Sequence, residues 1–254
     1  MLSKAEIKRL SRYKQSKFRN QDNLFVVEGE KMLSELLESE YDIQAIYATA
    51  PWIQKNTSLI QLKGVANKVV EISEEDLNKI SLLSTPNQVY SLVKIPQENF
   101  SNQTKGLTIV LDGIKDPGNL GTIIRLADWF AIEQIICSLD CVDLYNPKTV
   151  QSTMGSIFRT KTNYTDLKSY FESLPKSTPI YGSIVEGGES IYEKSFQKDS
   201  ILVIGSESHG ISQEIRKYIN QNITIPRFRT DNKPESLNAS IATAIIISEI
   251  LKTK

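Results

Sequence analysis

From residue 107 onward the chain repeats one pattern that leaves few architectures open: a short apolar run, a turn of small residues, then a stretch of helical periodicity. Residues 107–111, 134–137, 201–204 and 223–225 are the strand candidates, with helical patterns between them. Strands and helices that alternate in this way predict an α/β fold built on a mostly parallel sheet covered on both faces. In such sheets ligands collect at the carboxyl ends of the strands. The turns after these runs are therefore where chemistry is expected.

Ahead of this region lies a smaller α/β unit. Strand-like runs at 25–27, 43–47 and 89–93 alternate with helical patterns such as 30–37, where Met32, Leu33, Leu36 and Leu37 mark one apolar face. Residues 96–106 are polar with breakers at both ends, which reads as a linker. The expected organisation is a substrate-binding domain over 1–98, a linker over 99–106 and a catalytic domain over 107–254. The 254 residues are 40% hydrophobic, enough for real cores.

The formal net charge is zero, yet residues 1–20 hold seven basic side chains against Glu6 alone, a local charge of +6. Interleaved with Tyr13 and Phe18, these cations suit phosphates and unpaired bases, the usual way of holding looped RNA. A solvated amphipathic helix resting on Ile7 and Leu10 is the competing explanation. Cys137, Cys141 and the single histidine, His209, are too few for a structural zinc site. No apolar stretch reaches the length of a membrane span and charge occupies the place of a signal-peptide core, so a cytoplasmic protein is expected.

Three segments carry candidate site residues. The first, Asp116-Pro117-Gly118-Asn119-Leu120-Gly121-Thr122-Ile123-Ile124-Arg125, follows the run 107–111 and places a carboxamide and a guanidinium near a strand end. The second, Ile204-Gly205-Ser206-Glu207-Ser208-His209-Gly210, has the glycine spacing of a phosphate loop, but Ile211 stands where that loop needs lysine. Glu207 requires a partner or solvent, and Arg125 is one candidate. The third runs from Ile225-Pro226 through a charged loop to Ser236-Leu237-Asn238, where Ser236 is a reasonable cap for a buried C-terminal helix.

In order and spacing these segments resemble the SpoU (TrmH-type) branch of the SPOUT superfamily of RNA ribose 2′-O-methyltransferases. Tyr145-Asn146-Pro147-Lys148 with Met154-Gly155 is similar to the same family, and Phe25-Val26-Val27-Glu28-Gly29-Glu30 resembles the small domain many members carry in front. The resemblance implies a deep trefoil knot in the C-terminal domain, S-adenosylmethionine as cofactor, a homodimer, RNA as partner, and neither metal nor membrane. It points to Asn119, Arg125, Glu207, Ser236 and Asn238 for catalysis and RNA positioning. For the cofactor it points to Ile204, Gly205, Ile225, Pro226 and Leu237. Ribosomal RNA is favoured over transfer RNA as substrate, and a non-catalytic RNA-binding relative is the alternative.

The sequence also departs from that family. Ser208 stands where glycine is common, in a turn that benefits from positive φ. The loop over 227–235 is longer, highly charged and free of glycine, and Gln151 and Thr153 replace a frequent arginine and serine. Arginine is a poor general base because its pKa lies above about 12. A phosphate grip that offsets developing charge is the physically safer role for Arg125.

Overall fold

The chain divides into two units, each with its own sheet and its own cluster of buried apolar side chains. The computed structural model describes residues 1–83, 85–97, 106–228 and 236–252. The elements before residue 98 are α1 (Lys4–Ser11), α2 (Ser16–Asp22), β1 (Leu24–Glu28), α3 (Glu30–Leu37), β2 (Ile43–Ala48), α4 (Ala50–Lys55), α5 (Thr57–Leu62), β3 (Val69–Glu71), α6 (Glu74–Ile80) and β4 (Val89–Lys94). Their strands form a sheet of order β1-β4-β2-β3, antiparallel except for the β2 and β3 pair. Val26, Tyr47, Tyr90 and Leu92 pack with Leu10 and Tyr13 under the sheet.

Chain order and compactness differ at one place. The first compact unit holds Met1–Gln97 together with Asp143–Arg159, a stretch that lies inside the expected catalytic region. Within that unit Arg19 pairs with Asp143 and Arg159 with Glu35, while Phe25 packs on Tyr145 at 4.6 Å and Tyr41 on Phe158 at 5.2 Å between ring centroids. Gly155 is needed there: its φ is +98°, and a Cβ would sit 2.6 Å from Glu35 Cγ.

The N-terminal segment corrects the expectation of base stacking. Tyr13 is 1% exposed and donates its hydroxyl to Asp22, and Phe18 lies beneath the Arg12 guanidinium, 4.9 Å from the ring centroid. Arg19 is equally buried, donating to the main-chain oxygens of Tyr13 and Lys14. The rings are drawn inward because α1 and α2 have only short apolar faces of their own. Leu10 and Tyr13 supply the burial that docks them.

The second unit contains β5 (Leu107–Asp112), α7 (Pro117–Trp129), β6 (Gln134–Ser138), β7 (Lys161–Thr165), α9 (Leu167–Glu172), β8 (Ile180–Ser183), β9 (Glu189–Ser190), β10 (Ser200–Gly205), α10 (Gln213–Arg216), β11 (Gln221–Thr224) and α11 (Ala239–Leu251); α8 (Pro147–Thr153) belongs with the first. The sheet order is β7-β6-β5-β10-β8-β11-β9, and every neighbouring pair is parallel. All carboxyl ends therefore share one edge. The central strands β5 and β10 are buried along almost their whole length, which is why they read as unbroken apolar runs. Among the described residues, no helix is long and apolar enough to cross a membrane.

Candidate active site

The register of β5 against β10 pairs Asp112 with Gly205, so the turns that leave these two strands start side by side. Asp112 accepts from the main-chain N–H of Ser212 at 2.7 Å, and Gly113 follows at φ +73°. Asp116 then caps α7 by accepting from Asn119 N at 2.8 Å, with Pro117 in the first turn where its missing N–H costs nothing. The cap turns Asn119 inward. Its side chain is 8% exposed at the head of the helix.

Asn119 joins the three candidate segments. Its Nδ2 donates to Glu207 Oε1 at 2.5 Å, and its Oδ1 accepts from Asn238 Nδ2 at 2.9 Å. Asn238 Oδ1 accepts from Ser240 N at 3.0 Å and from Ile241 N at 3.3 Å, capping α11. Both ends of this relay are unambiguous: an ionised carboxylate only accepts and a main-chain N–H only donates. Each amide therefore has one orientation that satisfies its neighbours.

The Glu207 turn is held by its own backbone. Ser206 and Gly210 exchange main-chain hydrogen bonds at 3.1 and 2.9 Å, folding 206–210 back on the strand end. At Gly205 a Cβ would lie 2.1 Å from Gly210 C and Ile211 N, so no side chain fits. The left-handed residue of the turn is Gly210, at φ +65°, and Ser208 is not among the positive-φ residues. The serine in the usual glycine place is thus compatible with the turn. His209 is exposed and interacts with Ser208 Oγ at 2.7 Å, as expected for a turn residue.

The remaining candidates occupy distinct settings. Arg125 lies on α7 six residues beyond Asn119, exposed and with no partner among the described residues. The partner of Glu207 is Asn119, not Arg125. Ser236 is exposed and precedes the helix, whose cap is Asn238; the capping role expected of Ser236 therefore moves two residues on. Ile204 is core, 3% exposed, leaving only its main chain near the edge. Ile225 and Pro226 are half-buried just after β11, and Leu237 is 47% exposed. Arg227 pairs with Glu186 and Phe228 is exposed, while 229–235 fall outside the described residues.

Sequence reasoning passed over the support behind the first segment. Ser138 Oγ accepts from Gly113 N at 2.9 Å and donates to Asp140 Oδ1 at 2.6 Å, and Asp140 pairs with Lys115 at 2.7 Å. Cys141 sits against this clamp, its thiol lowered to about 7 by the Cys137 thiol first and by Ser138 and the Ile114 and Gly113 N–H groups; Cys137 is pushed up. Among the described residues no group of three or more His, Cys, Asp or Glu side chains could hold a metal ion.

An all-parallel sheet that gathers a carboxamide, a carboxylate and a second carboxamide at its carboxyl edge defines an α/β enzyme with a polar site. Comparison with known proteins is specific. Residues 106–248 match the SpoU rRNA Methylase family and residues 4–91 an MRM3-like substrate binding domain, so the chain belongs to the SpoU rRNA methylase family. It is an S-adenosylmethionine-dependent RNA methyltransferase of the SPOUT type. Over 232 residues it is 26% identical to the 23S rRNA (guanosine(2553)-2′-O)-methyltransferase RlmP of Bacillus subtilis, covering 91% of this chain and 90% of that one. A TrmH-family protein from Porphyromonas gingivalis superposes with a TM-score of 0.82 at 35% identity, covering 98% of each chain. An AdoMet-bound rRNA methyltransferase from Sinorhizobium meliloti superposes with a TM-score of 0.84 at 25% identity, covering 98% of this chain and 95% of that one.

Proposed function

We propose that this chain methylates a ribose 2′-hydroxyl of large-subunit ribosomal RNA in the cytoplasm, working as a homodimer around a knotted C-terminal domain. The observation that carries the site assignment is the meeting of Glu207, Asn119 and Asn238 from three separated segments. The rRNA assignment is supported by relatives such as RlmP, named for a 23S nucleotide. Residues 1–97 receive the RNA and the unit that begins at 107 performs the transfer, with 143–159 belonging to the first unit; the expected linker, 99–106, lies outside the described residues apart from Gly106.

The residues present suit the cofactor. Adenosine needs apolar flanks and main-chain groups at its edge, and Leu237, half-exposed, stands with Ile225 and Pro226 in segments that lead from or into the carboxyl edge of the sheet. Leu237, Ile225 and Pro226 would flank the base, with main-chain groups of Ile204 and Gly205 beside them. When bound, S-adenosylmethionine supplies a sulfonium methyl already activated for attack. The chain must then hold the hydroxyl in line and carry the charge that develops as its proton leaves.

Arg125 is assigned to the phosphate beside the reacting ribose, where a guanidinium lowers the cost of that charge. Glu207 has an oxygen beyond the one held by Asn119, free to orient a ribose hydroxyl. Ser236, exposed ahead of the cap, is assigned the same role. Asn119 and Asn238 keep the acceptors aimed. Arg125→Ala is expected to lower methyl transfer by at least ~100-fold while calorimetry shows nearly intact cofactor binding. Unchanged turnover would remove Arg125 from the site, and no cofactor heat in the wild-type protein would favour an RNA-binding relative without catalysis. Mapping ribose methylation across total RNA in a deletion strain and its parent names the substrate by the site lost, a transfer-RNA site being the outcome that contradicts the rRNA reading.

A further inference from the structure

Folding sorts the positive charge of the first twenty residues into two groups. The three arginines contact side chains of their own unit: Arg12 and Arg19 pair with Asp22 and Asp143, and the exposed Arg9 donates to the Tyr47 hydroxyl at 3.4 Å. Lys4, Lys8, Lys14 and Lys17 are exposed and have no carboxylate partner among the described residues. Elsewhere in the same unit Lys55, Lys63, Lys68 and Lys79 face Glu30, Glu38, Asp42 and Glu75, while Lys31 and Lys94 are exposed singly, away from any such run of cations in the sequence. The acids within the segment are occupied as well. Glu6 closes the capping box on Ser3, and Asp22 is held by Arg12 and Tyr13.

The aromatic half of the segment is closed at the same time. Tyr13 is core and Phe18 is covered by Arg12, and among the described residues of this unit the exposed large hydrophobics are Met1, Leu62 and Val70, none of them aromatic. Surfaces that hold unpaired RNA combine cations with rings on which bases stack. Base-paired RNA turns its bases inward and is recognised through phosphates and 2′-hydroxyls. Lys4 and Lys8 lie one turn apart on α1, and Lys14 and Lys17 follow immediately before and on α2. This is a surface of mobile point charges without a stacking platform.

We propose that Lys4, Lys8, Lys14 and Lys17 form a phosphate-binding surface for base-paired RNA, so that the N-terminal unit grips a helical segment of its substrate independently of sequence. The inference rests on the reading of the chain as an RNA-acting enzyme and names the form of RNA this unit takes. Fluorescence anisotropy on the full chain compares a labelled hairpin stem of arbitrary sequence with an unpaired strand of equal length over a series of salt concentrations. The stem is expected to bind more tightly. With Lys4→Gln, Lys8→Gln, Lys14→Gln and Lys17→Gln combined, stem affinity falls at least ~10-fold at about 0.1 M salt, and the log-log salt slope becomes shallower by roughly 3. An unchanged melting temperature establishes that the variant is folded.

Wild-type protein that binds the unpaired strand as tightly as the stem overturns the proposal, as does a quadruple variant with wild-type affinity and slope. Calorimetry with S-adenosylmethionine on the wild-type protein separates the two readings. Cofactor heat without stem preference sinks this inference alone. Stem binding that the variant loses, with no cofactor heat, sinks the methyl-transfer reading and leaves this one standing.

Discussion

Glu28 is a carboxylate sealed at the end of β1, 4% exposed, and its ligands are few: Ser81 Oγ donates to it at 2.6 Å and Leu82 N at 2.7 Å. Burial raises its pKa against the lowering effect of those two bonds. A carboxyl that holds its proton more tightly when folded contributes stability that is complete below the unfolded value near 4.5 and is lost as pH rises through the folded one. Glu28→Gln keeps both bonds, because the Ser81 hydroxyl can turn to accept from the new amide, and removes the buried charge. The variant is expected to match wild type at pH 4 and to exceed it by on the order of 1 kcal/mol at pH 7. Thermal melts at both pH values check this, and a gap that closes with rising pH would contradict it. The sequence marked Phe25-Val26-Val27 as strand but said nothing of the depth of Glu28, which is set by a loop more than fifty residues away. Arg19, one of the seven cations expected to suit phosphates, is buried for the same reason: its partner Asp143 is 124 residues distant.

At the scale of elements, α11 shows how one side chain can serve two ends. Asn238 caps the helix through Oδ1 and supports Asn119 through Nδ2. Asp caps as well as Asn, so with Asn238→Asp the helix keeps its cap and the stability lost is that of one unmet acceptor, about 1–3 kcal/mol. It replaces the donor facing Asn119 Oδ1 with an acceptor, however, and Asn119 cannot satisfy that position and Glu207 together. Methyl transfer should fall at least ~10-fold while chemical denaturation shows a protein still folded and destabilised by no more than about 1–3 kcal/mol; retention of full activity would show that the relay has no part in the reaction. The central strands β5, β6 and β10 were legible because burial on both faces leaves an unbroken apolar run. The polar β7 at the sheet edge, the four-residue β8 containing Gly182, and the two-residue β9 were not. In β8 the glycine answers a contact invisible to periodicity, since a Cβ there would lie 2.5 Å from Ile219 Cδ1. The helix cap was displaced by two residues because Ser236 and Asn238 are both good caps and the apolar run begins between them.

For the molecule as a whole, the unanswered surface is that of α11. Between Ala239 and Leu251 the only ionisable side chain is Glu249, and a helix apolar on all sides is ordinarily buried on all sides. Within its unit α11 packs on α7 and β10, with Ile246, Ile247 and Ile250 inward. Ile241 remains 52% exposed, and on α7 Trp129 remains 85% exposed. A second copy of the chain is the occupant that the proposed homodimer supplies, and two copies meeting through the same helices would form a self-complementary interface. Light scattering is then expected to give twice the 28.6 kDa chain mass. Ile241→Glu places a charge in that interface at a site already half open in the single chain, so the fold should survive while the mass falls to one chain. Because Ile241 N is one of the donors to Asn238 Oδ1, the interface and the Asn119 relay share a helix end, and methyl transfer should be lost together with the dimer. A wild-type protein that remains one chain at micromolar concentration, or an Ile241→Glu variant that stays paired, would remove this surface from the account of the site.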